Sequence, residues 1–175
     1  AVSAICEASG ADVEKVADGI GMDRRIGRNF LNAGIGYGGS CFPKDIAAFI
    51  TISEQLGVPF NLLKEVQRIN ATQKERFLKG IRDALWVLRD KKIAVWGLTF
   101  KANTDDLRAS PALGVASTLL GEGAEVRAYD PVSGERASDW VADLDVAADA
   151  YEACTDADVV VVLTEWDEFR WRDFD

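Results

Sequence analysis

The residue types that could do chemistry gather in one stretch, Gly34–Asp45, which runs into the apolar residues Ile46–Ile50. Cys41 stands two residues before Pro43, and proline suits the first turn of a helix, where its missing N–H costs nothing. Cys41 is therefore expected at the mouth of a helix N-terminus, where the positive end of the helix dipole favours a thiolate nucleophile. Asp45 follows at a four-residue spacing and Lys44 at a three-residue spacing, so both lie on the face that Cys41 opens. Just before them, Gly34, Gly36, Gly38 and Gly39 leave almost no side chain in the way of a ligand. Their backbone can take positive φ and aim N–H groups at something bulky and polar. A nucleophile, a carboxylate and an ammonium beside a backbone cradle describe covalent catalysis. A glycine-rich turn before an ordinary helix fits the same spacing, and glycine loops are weak signals alone. The residues leave both readings open.

Composition narrows the chemistry. The 175 residues contain no histidine, so the commonest general base and metal ligand are missing, and no metal site is expected. The net charge of −9 disfavours nonspecific nucleic-acid binding. An anionic substrate would need a local basic pocket, and one arginine of the Gly21–Gly27 turn could clamp such an anion. Arg24 and Arg28 read mostly as surface solubilisers. Three widely spaced cysteines suggest neither a disulfide framework nor a zinc site, and Cys6 and Cys154 fall in helical patterns where small buried cysteines are common. No apolar run is long enough for a membrane span and no basic leader precedes Ile5, so a cytoplasmic protein is expected.

Two grammars divide the elements that must position the stretch. Residues 1–20 show helical spacing broken at Gly10–Asp12, with Asp12 able to cap the second piece. Helices are expected over Asp45–Leu56 and, without interruption, from Leu62 through Leu88. After Arg89–Lys92 come a strand at Ile93–Gly97, a helix capped by Ser110-Pro111 and ending near Leu120, and a strand at Glu125–Pro131. A helix around Val146–Cys154 and a fully buried strand at Asp158–Leu163 complete the pattern. This predicts an all-α domain with a long connecting helix (1–89), then a Rossmann-like α/β domain with a doubly wound parallel sheet (90–175). Ligands of such sheets bind at the carboxyl ends of the strands, which places Phe100, Lys101, Arg108, Asp130 and Thr164 near one crevice. Gly97 lacks partner glycines at dinucleotide spacing. Lys101 and Arg108 fill the loop instead, which suits a phosphate or a solvated loop.

Asp23-x-Arg25-Ile-Gly27, the Gly-Gly-Ser-Cys-Phe-Pro-Lys-Asp string ending at Asp45, and Gly97–Pro111 closely resemble the nucleotide-sugar 6-dehydrogenases of the UDP-glucose/GDP-mannose dehydrogenase family. The resemblance implies an NAD-linked, four-electron oxidation of a sugar CH2OH to a carboxylate. It makes Cys41 the nucleophile that captures the aldehyde as a thiohemiacetal, with a thioester following, and gives Asp45 the hydrolytic water. It implies substrate contacts from Phe30, Tyr37, Gly38, Phe100 and Lys101, and places Lys44 and Arg108 near the cofactor. Arg25 matches an arginine that reaches across a dimer, so a homodimer through residues 1–89 is expected.

The family's amino-terminal NAD domain and its final strand are not in the sequence, so the resemblance implies a piece that is inactive alone. A non-catalytic nucleotide-binding or dimerisation module is the alternative. Phe42, Lys44 and Trp166–Phe169 look more like UDP-glucose enzymes than GDP-mannose enzymes, and Ser40 is unlike the enzymes of UDP-N-acetylhexosamines, which usually carry histidine there.

Overall fold

The computed structural model describes residues 1–171 and divides into two compact units. The first, Ala1–Gly34, holds α1 (Val2–Ser9) and α2 (Val13–Gly21). Gly10 closes α1 in the left-handed conformation at φ 74°, which glycine adopts without strain. Asp12 caps α2, its carboxylate accepting from the N–H groups of Glu14 and Lys15. Arg28 is more than the surface solubiliser expected. Its guanidinium donates to Asp18 at 2.6 Å and Glu14 at 2.5 Å on α2, and to Asn32 at 2.6 Å, tying the following turn to the helix.

The second unit starts at Ile35 and opens with α3 (Phe42–Gln55) and α4 (Asn61–Leu85). Helix α3 buries Ile46 and Ile50, one turn apart, while Phe49 meets Phe60 edge to face at 5.5 Å. The long helix is shorter than its apolar pattern suggests. It stops at Leu85 because Trp86 takes a positive φ of 63°, and Leu88 is buried beyond its end. Only its second half reaches a core within the unit: Leu78 and Ile81 are buried there, whereas Leu62 is exposed.

That core belongs to the α/β part. Strands β1 (Lys92–Trp96), β2 (Glu125–Tyr129), β3 (Asp145–Val146) and β4 (Val159–Val162) form a parallel sheet in the order β3-β2-β1-β4. Register is set by pairs such as Val95 with Ala128 and with Val161. Helix α5 (Pro111–Gly121) covers one face, its N-cap Ser110 accepting from Leu113 N–H and its Val115, Ala116 and Leu119 inside the core. On the other face Trp96 packs with Ala150, Ala153, Trp166 and Phe169.

Two expectations need correction. The segment expected as one helix around Val146–Cys154 contains β3 followed by the short α7 (Ala150–Ala153), after another short helix, α6 (Gly134–Ala137). Asp149 starts α7 late by accepting from the N–H groups of Tyr151 and Glu152. Strand β4 is not fully buried: it lies at the sheet edge among the described residues, and Val162 is exposed. A 3-10 turn at Asp167–Trp171 follows.

Candidate active site

Pro43 falls in the first turn of α3 and Cys41 is its N-cap, as the spacing predicts. Cys41 is exposed, whereas Cys6 is buried and Cys154 half-buried. Its thiol lies 3.6 Å from the Ser40 hydroxyl. Asp45 closes the first turn by donating its N–H to the Cys41 carbonyl at 2.9 Å. The Asp45 carboxylate pairs with Lys44 Nζ at 2.8 Å. That pair, more than the charge of Cys41, holds the Lys44 ammonium above its ordinary pKa. Lys44 and Arg108 are both near enough to Cys41 to feel a thiolate there.

The glycines preceding Cys41 serve a purpose the sequence reading missed. They make room for protein. A Cβ on Gly36, whose φ is 128°, would sit 2.8 Å from Asn70 Oδ1 on α4. A Cβ on Gly38 would strike the Ala109 carbonyl oxygen and come 2.7 Å from Pro111 Cδ. A Cβ on Gly39, at φ 88°, would sit 3.0 Å from the Phe100 ring. At Gly38 the backbone would have to move, and at Gly36 and Gly39 the positive φ strains any other residue, so glycine lets the cradle lie against helix α4 and the 97–109 loop. Ile35 packs against the α/β core, Tyr37 is held by Asn70, and Gly39 donates its N–H to the Arg108 carbonyl at 3.1 Å. Tyr37 also meets the Phe42 ring edge-on at 4.8 Å, and its partial burial raises the phenol pKa.

The loop itself hangs on two buried polar residues. Asp130, at the carboxyl end of β2, accepts at Oδ2 from Leu98 N–H (2.8 Å), Thr99 N–H (3.2 Å) and Trp166 Nε1 (3.3 Å). At Oδ1 it accepts from Val132 N–H (3.1 Å) and Ser133 N–H (2.9 Å). Thr164 donates its hydroxyl to the Thr99 carbonyl at 2.7 Å. Both were expected near a ligand crevice; both are buried and brace the loop from inside. Leu98 and Leu107 anchor the loop in the core, which leaves Phe100 half-buried against the cradle and Lys101 and Arg108 exposed. The Lys101 ammonium lies 5.4 Å from the Phe100 ring centroid. Arg108 forks onto Asp106, with Nε and a terminal nitrogen each at 2.9 Å.

Tyr37, Gly38, Cys41, Lys44, Asp45, Phe100 and Arg108 thus belong to one assembly of cradle, helix mouth and loop. Arg25 and Phe30 lie in the first unit. There Arg25 pairs with Asp23 at 2.6 Å, and Phe30 is fully exposed at φ 64°. Asn70, Asp130 and Thr164 escaped assignment as supports; Asn70 is one of several carboxamides on α4, and its type alone does not mark it. Among the described residues the turn after β1 has the single Gly97, and a Cβ there would meet Thr164 Cβ at 2.5 Å. Among the described residues no group of His, Cys, Asp and Glu could hold a metal ion, and no helix is long and apolar enough to cross a membrane.

Comparison with known proteins bears on this assembly. The central domain of the UDP-glucose/GDP-mannose dehydrogenase family matches residues 1–72, and the UDP binding domain of the same family matches residues 94–175. The chain belongs to that family. It is 47% identical to the UDP-glucose 6-dehydrogenase of Rhizobium meliloti (strain 1021), covering 99% of this chain and 40% of the relative. The solved UDP-glucose dehydrogenase of Pyrobaculum islandicum superposes with a TM-score of 0.90 at 36% identity, over 95% of this chain and 39% of that one. The GDP-mannose dehydrogenase of Pseudomonas aeruginosa superposes with a TM-score of 0.72 at 31% identity, over 94% and 40%. The chain spans about two fifths of the length of the curated relatives it matches.

Proposed function

We propose that this chain supplies the central and UDP-binding parts of an NAD-dependent UDP-glucose 6-dehydrogenase, with Cys41 as its covalent nucleophile. The observation that carries the reading is the exposed Cys41 at the N-cap of α3, flanked by Lys44 and Arg108 at the end of a cradle braced by the 97–109 loop. The Cys41 thiolate adds to the aldehyde carbon of the half-oxidised sugar, and the carbonyl oxygen takes a proton to give a thiohemiacetal. Oxidation of that adduct leaves a thioester on Cys41. Water then attacks its carbonyl carbon, the C–S bond breaks, and the acid departs with the thiol restored. Asp45, one turn from Cys41, orients that water and accepts its proton. NAD would supply the hydride acceptor for both oxidations. The residues of this chain assigned beside it are Lys44 and Arg108, whose charges suit a pyrophosphate.

Tyr37, Gly38, Phe100 and Lys101 line the sugar-nucleotide side, with the loop cations meeting its phosphates. Phe30 is assigned to the same sugar-nucleotide site, and Arg25 reaches the partner's substrate through a homodimer built on residues 1–89, in a cytoplasmic enzyme. No nucleic-acid partner is assigned to this acidic chain. UDP-glucose is preferred over GDP-mannose on Phe42, Lys44 and Trp166–Phe169, and uracil and guanine differ too much in size and edges for one pocket to serve both well. The test is competitive turnover at the full length of the relatives. Faster NADH formation and tighter binding with UDP-glucose are expected; preference for GDP-mannose would overturn the substrate.

A further inference from the structure

We propose that Asn70 is a positioning residue that holds the cradle in register and thereby aims Cys41; the idea rests on the functional reading above. Its side-chain amide treats Tyr37 as a strand neighbour would. Oδ1 accepts the Tyr37 N–H at 2.7 Å, and Nδ2 donates to the Tyr37 carbonyl at 3.1 Å. Only a carboxamide offers a donor and an acceptor in one plane for both groups of a single residue. The approach needs Gly36, whose φ of 128° and missing Cβ leave space for Oδ1. Further along the same helix, Leu78 and Ile81 are buried in the α/β core. Two turns of a rigid helix, about 12 Å, therefore refer the clamp to the core that also anchors the 97–109 loop. That loop holds the cradle a second time through the Arg108 carbonyl and Gly39 N–H. The two fixed points bracket Gly38, and Cys41 follows two residues after the second. With one of them removed, the thiol keeps its helix but loses its fixed line of approach to a bound sugar, and misplacement on that scale costs rate more than binding.

The experiment uses the enzyme at the full length of its relatives, with Asn70→Ala and Asn70→Asp. Asn70→Ala is expected to lower kcat for acid formation by about tenfold or more, while the Kd of UDP-glucose by calorimetry moves by less than about threefold. Asn70→Asp keeps the volume and the acceptor but loses the donor, and should fall between; it is the variant read if Asn70→Ala does not fold. Hydrogen exchange at the Tyr37 and Gly39 amides should quicken in both. A kcat within about twofold of wild type, a parallel loss of binding and rate, or unchanged exchange would each overturn the assignment. If the wild type makes no acid from UDP-glucose, the functional reading fails instead, and exchange at Tyr37 and Gly39 alone decides whether Asn70 holds the cradle.

Discussion

Gly39 donates its N–H to the Arg108 carbonyl at 3.1 Å and presents its bare Cα to the Phe100 ring. This contact joins the stretch that carries Cys41 to the loop that carries the expected nucleotide contacts, so cradle and loop form one wall. A side chain at the join should separate them. Gly38→Ala places a methyl group against the Ala109 carbonyl, and relief requires backbone movement. Loss of about 1–3 kcal/mol of stability is expected in urea unfolding, as for overpacking elsewhere. An unchanged midpoint would mean that the wall yields freely.

Asp130 should matter through the backbone it holds. Asp130→Ala strands the buried N–H groups of Leu98, Thr99 and Ser133, at about 1–3 kcal/mol for each group left without a partner or water. The expected result is marked destabilisation, with Asn at this position intermediate because it keeps part of the acceptor set. A melting temperature equal to wild type would count against the buried network.

The acid limb of stability has a defined sign. The Arg108 side chain, then its backbone N–H, holds the Asp106 carboxyl below its ordinary value of 3.8. A folded pKa below the unfolded one favours the folded state above that unfolded value and is lost as pH falls through the folded one. Asp23, Glu65, Glu122 and Asp158 are lowered in the same sense by Arg25, Arg68, Arg82 and Lys91. Stability should therefore hold above about pH 5 and decline below about pH 4. Asp106→Asn should flatten part of that decline in chemical unfolding followed against pH; an identical slope would remove the Asp106–Arg108 pair from the account.

Local chemistry explains which elements could be read in advance. Asp12, Pro43 and Ser110 announce their helices through caps and first-turn geometry, and each stands where its type demands. The parallel sheet follows from continuous apolar strands alternating with helices. The two-residue β3 was hidden because it is too short to carry a period. The end of α4 depends on the positive φ of Trp86, which no propensity favours. At the site, the position of Cys41 was legible because a helix mouth follows from Pro43. The clamp was not, since a carboxamide on a helix says nothing of the loop it will meet. The glycines were legible as permissive backbone, but what they admit depends on residues distant in sequence: Asn70, Phe100 and Ala109.

The chain by itself should produce no NADH with any nucleotide sugar, because the turn after β1 offers the single Gly97 where a dinucleotide fingerprint needs three glycines. Purified protein assayed with UDP-glucose and NAD tests this directly. Turnover would show that the cofactor finds a site within these residues.

The covalent role of Cys41 is the central claim, and replacing it with alanine at the full length of the relatives tests it most directly. Acid formation and UDP-glucose binding are measured on the same preparation. The account predicts that net acid formation stops while UDP-glucose binds with nearly unchanged affinity, because Cys41 is the one thiol in the cradle and its neighbours keep their places. Wild-type kcat in Cys41→Ala would contradict it.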